Sequence, residues 1–317
     1  IGWSGDADRS DVKSICGDYP AIMGWDLAQI ELGQDANIDG DKFDDIRRRI
    51  LEAYARGGVT TIGWHTTNPV TGGTAWDATS AVGRIIPGGD LHEKYCGWLD
   101  KVADFMLSLR TEAGEYVPVL FRPFHEHTGN GFWWGKGNCT AEEYVALWRF
   151  TLEYLRDTKG VHNFIYAISP QMDAVYGNTR DRLLFRWPGD EWVDFIGMDC
   201  YHGLNTEAFT SNLRTLSALS QEKLKPCGVT ETGQESFEKA DYWTGCILAP
   251  LMGQRVAMVV MWRNKYVAGN ESDRHFYSVY PGHVSADDFN IMYGRSRSLF
   301  SGDLPDMYTM AEHVTVR

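Results

Sequence analysis

LFRPFHEHTGNGFWWG, the stretch Leu120–Gly135, joins the end of an apolar run to a dense group of acidic, basic, imidazole and aromatic side chains. Glu126 follows the apolar residues 117–121 almost at once, with Arg122 and His125 beside it. Carboxyl and imidazole groups move protons, and aromatic faces stack on the apolar faces of sugar rings. The segment therefore predicts a sugar-cleaving cleft at the end of a buried strand.

A second carboxyl group is needed, because enzymatic cleavage of a glycosidic bond uses a pair of acids. The best candidate is Glu231 in the sequence CGVTETG, residues 227–233, which again stands at the end of a short apolar run. A single glutamate in a chain with 43 acidic residues is most often a solvated surface residue. Two glutamates at the ends of apolar runs, each with polar neighbours, favour the catalytic interpretation.

Short apolar runs alternate with amphipathic stretches along the whole chain. Continuous apolar runs are typical of parallel strands that are buried on both faces, and their alternation with helices predicts repeated βα units. Asp41 is the expected cap of the first long helix, and Thr140 to Glu143 form a capping box before another. Seven strands are predicted, at residues 21–27, 59–64, 117–121, 164–169, 193–199, 226–230 and 256–261, and the main helices at about 41–54, 90–110, 140–159, 206–223, 240–251 and from 285 onward.

This pattern predicts an α/β fold, a single (β/α)8 TIM barrel over residues 1–317, with the polar residues collected at the carboxyl ends of the strands. A barrel closes without exposed edges, so seven strands are one too few. We expect the first strand to lie upstream of residue 1 or to be formed by residues 1–5. Glu126 then follows the fourth strand and Glu231 ends the seventh.

The composition limits the kinds of partner that the protein can bind. The formal net charge of -13 argues against nucleic acid, whose phosphates need clustered Lys and Arg. No apolar run approaches the length of a membrane span. The six cysteines contain no C-x-x-C pair, which leaves disulfides open. We expect no cofactor and a monomer.

The chain resembles glycoside hydrolase family 26, and within it the β-1,4-mannanases. The resemblance covers nearly the whole chain, and RPFHE followed by FWWG at this spacing is its most specific part. The matching segments are Tyr19-Pro-Ala21, Gly24-Trp-Asp-Leu27, Trp64-His-Thr-Thr-Asn-Pro69, Arg122-Pro-Phe-His-Glu126, Phe132-Trp-Trp-Gly135, His162-Asn163, Ser169-Pro170, Asp199-Cys-Tyr201, Glu231-Thr-Gly233 and Met261-Trp-Arg-Asn264.

The resemblance implies roles for particular residues. Glu126 would be the general acid/base and Glu231 the nucleophile, while Trp262 would form the aromatic floor where the sugar is cleaved. Arg263 and Asn264 would reach further along the non-reducing side. The same subsite would be lined by His65, Arg122, His125, Asp199 and Tyr201.

The chemistry of these groups gives further expectations. A retaining mechanism places the two carboxyl groups about 5 to 5.5 Å apart. Burial and the charge of Glu231 should raise the pKa of Glu126, and Tyr201 and Arg122 can hold Glu231 ionised. Trp133 and Trp134 are candidate sugar contacts, with core packing as the alternative. His125 and His127 form an H-x-H pair, but no third ligand with matching spacing stands out, so we expect no metal.

One departure from the family concerns the leaving-group side. Family members usually carry an aromatic residue just before FWWG, where this chain has Gly131. We expect a weaker leaving-group subsite there, or another ring that takes over the stacking.

The resulting hypothesis is a retaining, endo-acting β-1,4-mannanase that acts on β-mannan and manno-oligosaccharides in an extracellular, cell-surface or periplasmic location. An exo-acting mannobiohydrolase, a β-1,3-xylanase and a mixed-linkage β-glucanase stay open, since they would use the same machinery. A polysaccharide-binding barrel without activity is disfavoured, because a binding protein needs neither Glu126 nor Glu231.

Overall fold

Seven parallel strands form the centre of the molecule in a computed structural model that describes residues 8–265 and 275–309. Each strand pairs in parallel with the next one along the chain. All seven predicted strands are confirmed, with ends that differ by a few residues. They are β1 (Ile22–Asp26), β2 (Val59–Gly63), β3 (Val119–Arg122), β4 (Phe164–Ile168), β5 (Phe195–Cys200), β6 (Cys227–Thr232) and β7 (Val259–Met261).

Helices connect these strands, and their positions agree with the sequence pattern. The capping box at Thr140 is confirmed by both of its hydrogen bonds. The predicted cap at Asp41 is wrong: the helix begins at Phe43, one residue later than a cap at Asp41 requires, and Lys42 occupies the N-cap position without a side-chain cap hydrogen bond. The helices are α1 (Lys13–Cys16), α2 (Phe43–Ala55), α3 (Val82–Ile85), α4 (His92–Ser108), α5 (Ala141–Glu153), α6 (Thr179–Leu183), α7 (Thr206–Lys223), α8 (Ala249–Leu251) and α9 (Ala286–Tyr293), with π-helical turns at Tyr154–Thr158 and Trp243–Leu248 and 3-10 turns at Ile30–Leu32, Asp190–Trp192 and Ser301–Asp303.

The sheet curls into a nearly closed (β/α) barrel of the TIM type. Its interior is filled by apolar side chains from several strands, among them Leu120, Ala167 and Phe195, with Ile22 and Val260 packed against them. Cγ1 of Val260 on β7 lies 3.9 Å from the point where a Cβ on Gly24 of β1 would stand, so the first and last of these strands approach each other. The alternative in which residues 1–5 supply an additional strand falls outside the described residues.

A short antiparallel pair, β8 (Asn264–Lys265) and β9 (His275–Phe276), follows the seventh strand. All six cysteines are free thiols. No helix in the described part of the chain is long and apolar enough to cross a membrane.

Because the seven strands run in one direction, their carboxyl ends share one rim, and active sites of such barrels are built there. β3 ends at Arg122 and leads into Glu126, while Glu231 is the fifth residue of β6. In the register of β5 and β6, Asp199 is paired with Glu231 next to an irregularity at Met198. The fold therefore brings Glu126 and Glu231 together, although 105 residues of sequence separate them.

Candidate active site

Glu231 is held by hydrogen bonds to both of its carboxylate oxygens. Arg122 Nη2 donates to Oε1 at 2.5 Å, and the hydroxyl of Tyr201 donates to Oε2 at 2.6 Å. Burial, followed by the charge of Glu231, raises the pKa of Tyr201 well above its ordinary value, so the phenol keeps its proton. A carboxylate that accepts hydrogen bonds from two such donors keeps one orientation.

Arg122 is a buried cation shared by two acids. Its Nη1 lies 2.9 Å and 3.0 Å from the two carboxylate oxygens of Asp199, and Thr230 Oγ1 donates to Asp199 Oδ1 at 2.6 Å. Burial opposes the charge on Arg122, but Asp199 and Glu231 outweigh it and raise the pKa of Arg122. The guanidinium therefore neutralises a cluster that would otherwise place two negative charges in the barrel mouth.

Glu126 sits on a strained piece of backbone. Its φ is 54°, as is that of Phe124, both in the left-handed region that residues other than glycine rarely occupy. The backbone N–H of Glu126 donates to the carbonyl of Ser169 at 2.7 Å, which fixes the turn against the end of β4. Such conformations persist where the surroundings hold them, often at functional sites.

The carboxyl groups of Glu126, Asp199 and Glu231 converge, with oxygen atoms within 4.8 Å of one another. Burial, followed by the charges of Asp199, Glu231 and Asp173, raises the pKa of Glu126 well above its ordinary value, against the opposing charge of Arg122. The expected rise is thus present, with Asp199 as an additional cause. Burial and the neighbouring acids therefore favour the protonated form of Glu126, which faces the carboxylate held by Arg122 and Tyr201.

Two histidines from different strands meet beside these acids. His65 follows β2 and His125 follows β3, and their Nε2 atoms lie 3.1 Å apart, so one ring donates a proton to the other. Nδ1 of His65 lies 2.7 Å from Asp26 Oδ2 at the end of β1. Burial lowers the pKa of His65, but Asp26 and then Glu231 reverse the effect and raise it. Burial, with His65 and Arg122, lowers the pKa of His125 well below its ordinary value.

The exposed aromatic surface of the cleft comes from Trp262 and Trp76. The Trp262 ring is half-buried and lies 6.3 Å from the ring of His65. Trp76 stacks on His65, with ring centres 5.0 Å apart and an angle of 20° between the ring planes. The Trp76 side chain is 52% exposed. Sequence reasoning missed Trp76, although its place in a Gly- and Thr-rich connection without an apolar face was a usable signal for an exposed ring.

Trp133 and Trp134 are corrections to the sequence prediction. Both side chains are fully buried, and their indole N–H groups donate to the carbonyls of Thr66 at 3.0 Å and His125 at 2.7 Å. An enclosed ring cannot stack on a sugar in the cleft. The two indoles instead pack around Phe124 and support the backbone that carries His125 and Glu126.

Asn264 is a second correction. Its Nδ2 donates to Asp11 Oδ2 and to the carbonyl of Val279, and its Oδ1 accepts the N–H groups of Tyr277 and Ser278. These four hydrogen bonds use the whole capacity of an amide side chain. Asn264 therefore holds the segment after β7 in place and has no group left for a sugar hydroxyl.

Arg263 lies next to Trp262. Its guanidinium stands 5.2 Å from the centre of the Trp262 ring and forms an ion pair with Asp39 in the loop after β1. Its Nε donates to His275 Nε2 at 3.1 Å. This arrangement joins the loops after β1 and β7 beside the cleft.

The H-x-H pair is separated by the fold. His125 faces His65, whereas His127 Nε2 lies 2.9 Å from the carbonyl of Phe185 and its ring stacks on Tyr144. In the described ranges, the grouping of acids and histidines close enough to share a cation is the carboxyl trio of Glu126, Asp199 and Glu231. Arg122 already forms ion pairs with two of these three acids. The three carboxyl groups therefore fit an ion-pair network around the guanidinium better than a metal site.

A parallel barrel with two glutamates facing each other at its carboxyl rim is the arrangement of a glycoside hydrolase. The model of glycosyl hydrolase family 26 matches residues 3–247. The chain belongs to glycosyl hydrolase family 26.

Several relatives carry the name mannan endo-1,4-beta-mannosidase. One from Bifidobacterium adolescentis is 29% identical over 321 residues, covering 94% of this chain and 32% of the relative. One from Bacillus subtilis is 31% identical over 242 residues, covering 73% of this chain and 62% of the relative. The chain thus spans about a third to three fifths of the length of these relatives.

Solved structures agree in fold. A GH26 beta-mannanase from Bacteroides ovatus superimposes with a TM-score of 0.93 at 43% identity, covering all of this chain and 91% of the other. A modular endo-beta-1,4-mannanase from Cellulomonas fimi has a TM-score of 0.83 at 33% identity, covering 95% of this chain and 69% of the other.

Proposed function

We propose that this protein is an endo-acting β-1,4-mannanase that hydrolyses internal bonds of mannan, glucomannan or galactomannan with retention of configuration. The observation that carries the proposal is the convergence of Glu126 and Glu231, whose carboxyl oxygens lie within 4.8 Å of each other. A gap of this size suits direct attack by one carboxylate and leaves no room for the water that an inverting enzyme places between its acids. The relatives named as mannan endo-1,4-beta-mannosidases favour mannan as the polymer.

In the first step Glu231 attacks the anomeric carbon, and the bond from that carbon to the leaving oxygen breaks. Glu126 gives its proton to the leaving oxygen, so the departing chain leaves as an alcohol. The sugar is then bound to Glu231 as an ester. In the second step Glu126, now ionised, takes a proton from water, whose oxygen attacks the same carbon and releases Glu231.

The surrounding residues bind and orient the sugar. Trp262 offers a ring face below the cleavage point, and Arg263 extends the polar surface next to it. His65 and His125, paired through their Nε2 atoms, line the same subsite, while Arg122, Asp199 and Tyr201 fix Glu231. Trp76 is the ring that takes over stacking from the missing aromatic at Gly131, since the space around Gly131 is open and Trp76 contacts Phe132.

We further propose that residues 1–317 act as one catalytic barrel, that the protein is a monomer without cofactor, and that it works outside the cytoplasm, where mannan is found. Size-exclusion chromatography with light scattering tests the monomer. A stoichiometric dimer would contradict it.

The test of function is a time course of products from linear β-1,4-mannan, with lichenan and β-1,3-xylan in parallel. Mixed manno-oligosaccharides that appear early and shorten later are expected from endo action. Mannobiose alone from the first minutes would indicate an exo-acting enzyme, and release from another polymer only would overturn the substrate.

The roles of the two acids are tested with alanine variants. Glu231→Ala should abolish turnover of every substrate. Glu126→Ala should slow polysaccharide cleavage far more than formation of the glycosyl-enzyme from an activated aryl mannoside, because a good leaving group needs little protonation. Glu112→Ala is the matched control, since Glu112 is exposed ahead of β3, at the opposite end of the barrel. Equal losses on both substrates would argue against the acid role of Glu126.

A further inference from the structure

Asp173 is an acid beside the cleft that neither the sequence motifs nor the mechanism above uses. It follows β4, and its carboxylate accepts two hydrogen bonds. The backbone N–H of Tyr201 donates to Oδ1 at 2.7 Å, and Gln171 Nε2 donates to Oδ2 at 2.8 Å. Tyr201 is the residue whose hydroxyl holds Glu231. Asp173 is therefore one hydrogen bond from the residue that orients the nucleophile.

The segment that carries Asp173 is anchored on several sides. The N–H of Met172 donates to the carbonyl of Asp199 at 2.7 Å, and Asn212 of α7 donates to the carbonyl of Met172 at 2.6 Å. The N–H of Gln171 donates to Thr128 Oγ1 at 2.9 Å, in the loop after β3 that also contains Glu126. A carboxylate on such a segment has a fixed position relative to both catalytic glutamates.

We propose that Asp173 is a positioning residue for both catalytic acids: it fixes the backbone of Tyr201, and through it Glu231, and it presents a negative charge to Glu126. The inference rests on the proposed function, since Asp173 would act on the same two glutamates. It adds a third carboxyl group to the two that already face the acid/base.

The charge has a definite consequence for pH dependence. The groups that act on Glu126 are Asp199 on β5, Glu231 on β6, Asp173 after β4 and Arg122 on β3; the three acids raise the pKa of Glu126 and the arginine lowers it. Burial raises the pKa of Asp173 itself, while Tyr201, Gln171 and Arg182 oppose the rise. Glu126 must be protonated to act as an acid, so activity falls as pH rises through its pKa. Removal of the charge on Asp173 should move this alkaline limb to lower pH.

Asp173→Asn separates charge from hydrogen bonding, because its amide oxygen can still accept the N–H of Tyr201. We expect the alkaline limb of kcat/KM on soluble manno-oligosaccharides to shift down by about half a pH unit or more. Asp173→Ala should show the same shift and, with Tyr201 no longer fixed, a further fall in kcat of about tenfold. Asp287→Asn, the same change at an exposed position on α9, is the control and should leave the limb in place.

A second measurement does not depend on turnover. Glutamate labelled with carbon-13 in the side-chain carboxyl, with the Glu126 signal assigned by its loss in Glu126→Gln, reports the titration of Glu126 directly. A lower titration midpoint in Asp173→Asn supports the inference even if mannan proves not to be the substrate, which separates its failure from that of the proposed function. An unchanged midpoint and an unchanged alkaline limb, with only a lower rate or lower stability, would overturn it.

Discussion

Replacement of Arg122 by methionine tests whether the buried ion-pair network is the electrostatic centre of this site. Arg122 is 4% exposed and makes hydrogen bonds of 2.9, 3.0 and 2.5 Å to Asp199 and Glu231. Methionine has a similar length but no charge, so two buried carboxylates lose their shared cation. Removal of one partner from a buried ion pair costs about 3 to 5 kcal/mol. We therefore expect a loss of unfolding free energy in this range at neutral pH.

The loss should depend on pH in a direction fixed by the structure. Burial raises the pKa of Asp199 to about 8 in the wild type although Arg122 opposes the rise, and the variant lacks that opposition. The penalty on ionised Asp199 is fully present above its folded-state pKa and disappears as pH falls below the unfolded value near 4, because Asp199 then binds a proton in either state. The difference from wild type should therefore be largest above pH 8 and shrink as pH falls toward 4.5.

The assay is thermal and urea unfolding of wild type and Arg122→Met across this pH range. At about 2 °C per kcal/mol for a chain of this size, the melting temperature at pH 7 should fall by roughly 6 to 10 °C. Arg48→Met is the control: Arg48 on α2 also pairs with two acids, Asp45 and Glu52, but in solvent, where such pairs contribute little measurable stability. Equal melting temperatures for wild type and Arg122→Met at pH 7, or a deficit that grows in acid, would refute the reasoning.

Three further substitutions separate the roles of neighbouring side chains. Tyr201→Phe removes one donor to Glu231 and should lower kcat by about 10- to 100-fold, the value of a hydrogen bond to a charged group, with little change in melting temperature; an unchanged kcat in steady-state assays would contradict its role. Trp76→Ala removes an exposed ring and should raise KM for manno-oligosaccharides by about three- to tenfold with kcat nearly intact, so an unaltered KM would exclude stacking there. Trp133→Ala leaves a cavity at a buried site and should lower the free energy of unfolding in urea by about 3 to 5 kcal/mol. A variant of unchanged stability with weakened sugar binding would instead indicate that Trp133 contacts the sugar.

Much of the fold could be predicted because local sequence rules determine it. Apolar runs too short for core helices, alternating with amphipathic stretches, lead to parallel strands whatever their neighbours are. The capping box at Thr140 was predictable for the same reason, since both of its hydrogen bonds lie within four residues. The cap at Asp41 was not, because hydrogen bonds between its backbone groups and Asn37 hold Asp41 in the preceding loop, and the helix begins after Lys42.

The sequence by itself determined the barrel, the two facing acids and the family, because strand ends and their polar residues recur at fixed places along the chain. Only the tertiary structure decided that the rings of Trp133 and Trp134 are enclosed, since aromatic residues beside a catalytic motif can equally line a cleft or pack in the core. The same holds for Asn264 and Asp173. Asn264 bonds to Asp11 and Asp173 accepts from Tyr201, and both partners are distant along the chain. Burial and long-range hydrogen bonds depend on how elements pack together, and no local pattern encodes them.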